Sequence, residues 1–125
     1  MIGKEIEAEE DGSLPLVDRA RLEELVADIG EEALPEIVEM FVAEVEESLA
    51  ALRREERQEA GRIAAEAHFI KGSALNLGFA ALAEVCGKIE RLAATAPETP
   101  VVTARIVTLF ERSRAELERL TLARA

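Results

Sequence analysis

Apolar residues recur at steps of three and four along most of this chain, the spacing that puts them on one face of an α-helix. From Asp18, a side chain suited to capping a helix start, Leu22, Leu25, Val26 and Ile29 share a face, and Gly30 supplies a stop. A longer helix opens between Glu32 and Pro35, with the proline in the first turn, where its missing N–H matters little. Leu34, Val38, Phe41, Val45, Leu49 and Leu52 form its stripe, and Arg53 and Arg54 close it in keeping with the helix dipole. A third helix is expected over residues 57–77, striped by Ile63, Ala67, Ile70, Ala74 and Leu77 and ended by Gly78. A fourth is expected over residues 79–94, with Leu82, Val85, Cys86, Ile89 and Leu92 inward. After the break at residues 95–98, Thr99 and Pro100 read as N-cap and first helical residue. Val102, Ile106, Leu109, Phe110, Ser113, Leu117 and Leu120 then carry the last stripe.

No alternating β pattern and no internal repeat interrupts this series. Four long amphipathic helices with short connections imply an all-α fold, an antiparallel up-down four-helix bundle with a short extra N-terminal helix packed on it. Residues 1–14 are charged and aperiodic, so we expect an acidic, disordered or loosely docked tail, with residues 15–125 forming a single domain.

Composition and charge sharpen this picture. The chain has four Phe and no Trp or Tyr, so its core must be aliphatic. Its net charge of −11 argues against nucleic acid, which needs a basic face, and against a polybasic membrane anchor. No apolar run approaches the ~20 residues of a membrane span, and no signal peptide is apparent, so the expected compartment is the cytoplasm. The charge is also uneven. Residues 13–50 hold eleven acids and two bases, whereas residues 51–125 hold ten acids and twelve bases. Solvated helix faces would give this split, and so would a C-terminal half that meets an acidic partner. The single cysteine, Cys86, excludes an intrachain disulfide, and its place on the inward stripe makes it a small buried hydrophobe.

The one histidine, His68, lies in the third helix. At roughly 100° per residue the stripe from Ile63 to Leu77 stays within roughly 40° of one direction, and His68 points about 140° away from it. Lys71 lies about 80° from the stripe, Leu75 about 120° and Gly72 about 180°, with Ala64 and Ala65 on the outer side as well. Ser73 falls about 80° away on the other flank, the place of a helix-contact residue. An exposed neutral imidazole is a good nucleophile near pH 7. Once phosphorylated it needs charge compensation, which a lysine one turn on can supply. A glycine at the next position, with alanines in the preceding turn, leaves the surface low enough for another protein to approach. Leu75 is a candidate docking contact. The bland reading is a surface histidine, a solvated lysine and an incidental glycine.

Ala67-His68-Phe69-Ile70-Lys71-Gly72-Ser73-Ala74, with Leu77-Gly78, resembles the signature of histidine-containing phosphotransfer (HPt) domains. The likeness extends over roughly residues 16 to 122, through the early helices and the downstream Leu82, Cys86, Ile89-Glu90 segment. It implies that His68 accepts a phosphoryl group from a receiver-domain aspartate and passes it to a response-regulator aspartate. Lys71 would steady that group and Gly72 would give access. Ala64, Ala65, Phe69 and Leu75 would meet the partner, with Phe69 bulkier than the small polar residue common after the histidine and able also to pack toward the N-terminal helix. The partners would be receiver domains of hybrid histidine kinases and of response regulators. The receiver, not this chain, would bring Mg²⁺, and no cofactor of its own is expected. The protein would be a monomeric phosphocarrier, not an autonomous enzyme.

Three other readings compete. A phosphoacceptor module of a chemotaxis-type histidine kinase would use the same chemistry with an ATP-binding domain as donor. The helical register runs close to the C-terminus, which makes an independent protein the expectation. A non-catalytic helical adaptor bundle would leave the histidine incidental. A metal-dependent or hydrolytic enzyme is disfavoured, because no carboxylate pair is placed with a nucleophile and base, and one histidine cannot make a triad.

Overall fold

The computed structural model describes residues 14–54, 60–93 and 99–124. Among them are five α-helices and no strand: α1 (Arg19–Ile29), α2 (Leu34–Arg54), α3 (Ala60–Leu77), α4 (Ala80–Leu92) and α5 (Thr99–Arg124). Helix α3 packs on α2 and, most extensively, on α4, while α5 packs on both α4 and α2. The four long helices thus close a ring around one core, and α1 lies against α2 and α3. The expected tail over residues 1–14 lies outside the described residues except for Leu14, as do the expected break at 95–98 and the start of the third helix before Ala60.

Most residues of the inward stripes are buried as their spacing requires; Val26, Ile29 and Leu92 are partly covered, and the side chain of Val102 lies outside the described residues. Ile63, Ala67, Ile70, Ala74 and Leu77 of α3 are almost wholly inaccessible, as are Leu82, Val85, Cys86 and Ile89 of α4 and Ile106, Leu109 and Phe110 of α5. Helix α2 contributes Leu34, Val42, Val45, Leu49 and Leu52, with Val38 and Phe41 partly covered. Ser73 and Ser113 are buried too, in their expected contact positions. The core is aliphatic apart from Phe79 and Phe110, whose ring centroids stand 6.5 Å apart in a tilted arrangement.

Helix ends follow from their capping residues. Asp18 Oδ1 accepts the backbone N–H groups of Ala20 and Arg21 at 3.0 and 3.3 Å, satisfying two donors at the start of α1. Gly30 takes φ +86° and its N–H reaches Val26 O at 2.7 Å. Helix α3 ends in a Schellman motif: Phe79 N–H bonds to Ala74 O at 2.8 Å and Gly78 N–H to Leu75 O at 3.3 Å, with Gly78 at φ +80°. Phe79 is therefore the residue before α4, not its first turn, and it buries its ring at this corner. Helix α5 already includes Thr99, one residue earlier than a capping role would place it.

One feature was not expected from periodicity. Residues 15–18 lie across the α3–α4 turn: Asp18 N–H donates to Gly78 O at 2.7 Å, Ala81 N–H donates to Pro15 O at 3.0 Å, and Val17 is buried. Arg21 Nε adds a bond to Leu75 O at 3.3 Å. The corner on which α3 is hung is thus pinned from the N-terminal side.

Candidate functional site

His68 stands in the middle of α3 with about two thirds of its side chain exposed. Its position on the wheel accounts for this, since the core-facing residues Ala67 and Ile70 lie about 100° and 160° away from it around the helix. Nδ1 of the ring is 3.0 Å from Glu90 Oε2, on the neighbouring helix α4. The other oxygen of that carboxylate, Oε1, is 2.9 Å from Lys71 Nζ and is shielded from solvent. One carboxylate on α4 therefore joins the two α3 residues selected by the sequence reading.

The electrostatics fix the roles of these atoms. The Lys71 ammonium beside Glu90 holds its carboxyl below the usual carboxylate range against the opposing effect of desolvation, and His68 adds to the lowering. Glu90 is thus ionised near neutral pH and can only accept. The Nδ1 atom must then carry the proton and donate it, which leaves the lone pair of the neutral imidazole on Nε2. Among the described residues Nε2 has no hydrogen-bond partner.

Gly72 is exposed, and a Cβ added there would meet nothing within 4 Å. Phe69 and Leu75 are exposed large hydrophobics on either side of it, at 46% and 55% relative accessibility. Ala65 is exposed as expected. Ala64 is only partly so: it packs against the core, because a residue about 100° from the stripe sits on a flank and not on the outer face. The structure thus brings His68, Lys71, Gly72, Phe69, Leu75 and Ala65 onto the accessible side of α3 and leaves Ala64 at its edge.

Glu90 is the residue whose role the sequence reading missed, although it was noted within the Ile89-Glu90 segment. Its signal was present in outline. It directly follows the inward Ile89, so it had to flank the core face of α4. Cys86, one turn before it, is buried, and burial, with Glu90 adding, pushes its thiol up to about 12. It is a packing residue and offers no thiolate. Among the described residues no group of three or more His, Cys, Asp or Glu side chains could hold a metal ion. No described helix is long and apolar enough to cross a membrane.

These features define a helical domain with an exposed imidazole whose Nε2 has no hydrogen-bond partner among the described residues. In comparison with known families, residues 36–122 match the model of the Hpt domain, a span that covers most of α2, all of α3 and α4 and most of α5 and includes His68, Lys71, Gly72 and Glu90. No curated protein and no solved structure matches the chain. The family match takes in well over half of the sequence, and the chain belongs to the Hpt family, whose helical bundles serve histidine phosphotransfer with receiver domains in two-component phosphorelays.

Proposed function

We propose that this protein is a phosphorelay intermediate in which His68 takes a phosphoryl group from a receiver-domain aspartate and hands it to the aspartate of a response regulator. The observation that carries the reading is the Nδ1–Glu90 bond, which directs the lone pair to an exposed Nε2 that has no partner among the described residues. In the forward step the Nε2 lone pair attacks phosphorus, the P–O bond to the donor aspartate breaks, and that carboxylate leaves with the bonding electrons. The proton on Nδ1 stays in place, and the positive charge that the ring acquires is balanced by Glu90. Lys71 compensates the phosphoryl oxygens, and Gly72 admits the receiver between Phe69 and Leu75. The receiver brings the Mg²⁺, and this chain supplies only the nucleophile and its surroundings. Residues 15–125 act as one monomeric, cytoplasmic domain of antiparallel up-down course.

Incubation with a phosphorylated receiver domain and Mg²⁺ tests the reading. The protein should gain acid-labile, base-stable label, and His68→Gln should gain none. If the wild type takes no label from any receiver of its own cell, the relay reading fails. Label on His68→Gln would move the site elsewhere.

A further inference from the structure

Two cationic side chains meet over Gly87 of α4. A Cβ placed on this buried glycine would stand 3.5 Å from Arg91 Nη1 and 3.7 Å from Lys71 Cδ. Lys71 comes from α3, and Arg91 runs back one turn along α4, the direction in which helical side chains lean. The bare backbone of Gly87 is the floor on which both lie. Their electrostatic situations differ. The Lys71 ammonium is engaged with Glu90 at 2.9 Å, so that pair is neutral as it stands. Arg91 is exposed and, among the described residues, makes no ion pair or hydrogen bond.

A phosphoryl group arriving on His68 adds negative charge to a cluster whose lysine is already shared with a carboxylate. Arg91 is the adjacent cation that, among the described residues, gives up no partner in moving. Its root directly follows Glu90, the residue bonded to His68, so it leaves the helix at the level of the imidazole. A long side chain on a surface changes rotamer freely, and a guanidinium offers several N–H donors to phosphoryl oxygens. We propose that Arg91 is a phosphoryl-binding residue, a second cation parked over Gly87 that closes on the phosphoryl group carried by His68. The proposal rests on His68 being the phosphoacceptor.

Potassium phosphoramidate tests it without any partner protein, since the Nε2–P bond forms as the P–N bond of the donor breaks and ammonia leaves. Phosphorus NMR then follows the second ionisation of the phosphoryl group on wild type, Arg91→Ala and Arg91→Lys, with His68→Gln as the blank. Loss of a neighbouring cation should raise that ionisation by about 0.2 to 0.7 unit in Arg91→Ala and slow phosphorylation about two- to fivefold, the range of an exposed ion pair. Arg91→Lys should fall between the two, with thermal unfolding unchanged throughout. An Arg91→Ala titration identical to wild type overturns the proposal. So does a variant slowed only with a receiver as donor, which would make Arg91 a contact for the partner's surface. If wild type shows no phosphohistidine signal at all, the reading of His68 falls and takes this inference with it. A signal in wild type with no change in Arg91→Ala sinks the inference alone.

Discussion

Gly72 and Gly78 belong to the same stretch of chain and meet opposite surroundings. A Cβ on Gly78 would stand 3.1 Å from the Asp18 carbonyl oxygen and 3.3 Å from Arg21 Cβ, in a backbone at φ +80°. A Cβ on Gly72 would meet nothing within 4 Å, in ordinary helical backbone. The first glycine closes a corner: α1 and the segment before it press on the α3–α4 turn, and only a residue without a side chain fits there. The second keeps a surface open beside His68. The same residue type thus closes a corner at one end of α3 and, on the proposed reading, leaves access to the imidazole in the middle, and the difference lies in what approaches each glycine from outside its own helix.

The comparison breaks most visibly at the corner. Gly78→Ala must place a side chain in left-handed backbone and push back the Asp18 carbonyl, which together should cost about 2 kcal/mol or more of stability. Urea unfolding of the purified protein would read this as a lower midpoint with an unchanged slope. An alanine variant as stable as wild type would show that α1 yields easily, and the corner would no longer count as pinned.

Next in size is the carboxylate that links the two α3 side chains. Glu90→Ala frees Nδ1 and Lys71 together, so the imidazole loses its fixed tautomer and its counter-charge. Phosphorylation of His68 should slow by about tenfold, the worth of roughly one charge-assisted hydrogen bond. The pH dependence has a defined sign. Because the Glu90 carboxyl is held below its usual range, chiefly by Lys71, its contribution is present above the ordinary carboxylate pKa of about 4.3 and is lost only as pH falls through the lowered value. The advantage of wild type over Glu90→Ala should therefore be level from pH 5 upward on this account and shrink only in more acidic solution. A rate for Glu90→Ala equal to wild type would remove the tautomer argument.

Most of α3 is legible in the sequence because a helix has one period, and five stripe residues fix its phase. That phase put Ile63, Ala67, Ile70, Ala74 and Leu77 in the core and His68 and Gly72 outside it, as they are found. Capping chemistry is local too, which is why Asp18, Gly30 and Gly78 could be read from type and place. The pairing of His68 with Glu90 is of another kind. It depends on how far α4 is shifted along α3 and on which flank it turns toward it, and neither follows from the stripe of either helix. Pro15 and Val17 were missed for a related reason: an extended strap has no period, and its bonds to Ala81 and Gly78 exist only once the corner has formed. Ala64 shows the coarseness of a wheel, since a residue near a right angle to the stripe can be claimed by a neighbouring helix.

The smallest effect is expected at Gly72, and it separates the two roles a glycine can have. Gly72→Ala adds a methyl group to open space in a helix interior, and alanine is the better helix former by about 1 kcal/mol. The variant should be more stable than wild type by up to that amount, with transfer from a receiver nearly unchanged, because one methyl group does not fill the gap between Phe69 and Leu75. Gly72→Arg should keep the fold and lose transfer, since its side chain occupies the approach to Nε2, while phosphoramidate, being small, should still label His68. The two donors together decide the matter. If the arginine variant is slowed equally with both, the substitution has disturbed the imidazole itself. If it is slowed with neither, the opening at Gly72 is not the receiver's way in, and Gly72 would be a helix-weakening residue whose presence nothing in the structure explains.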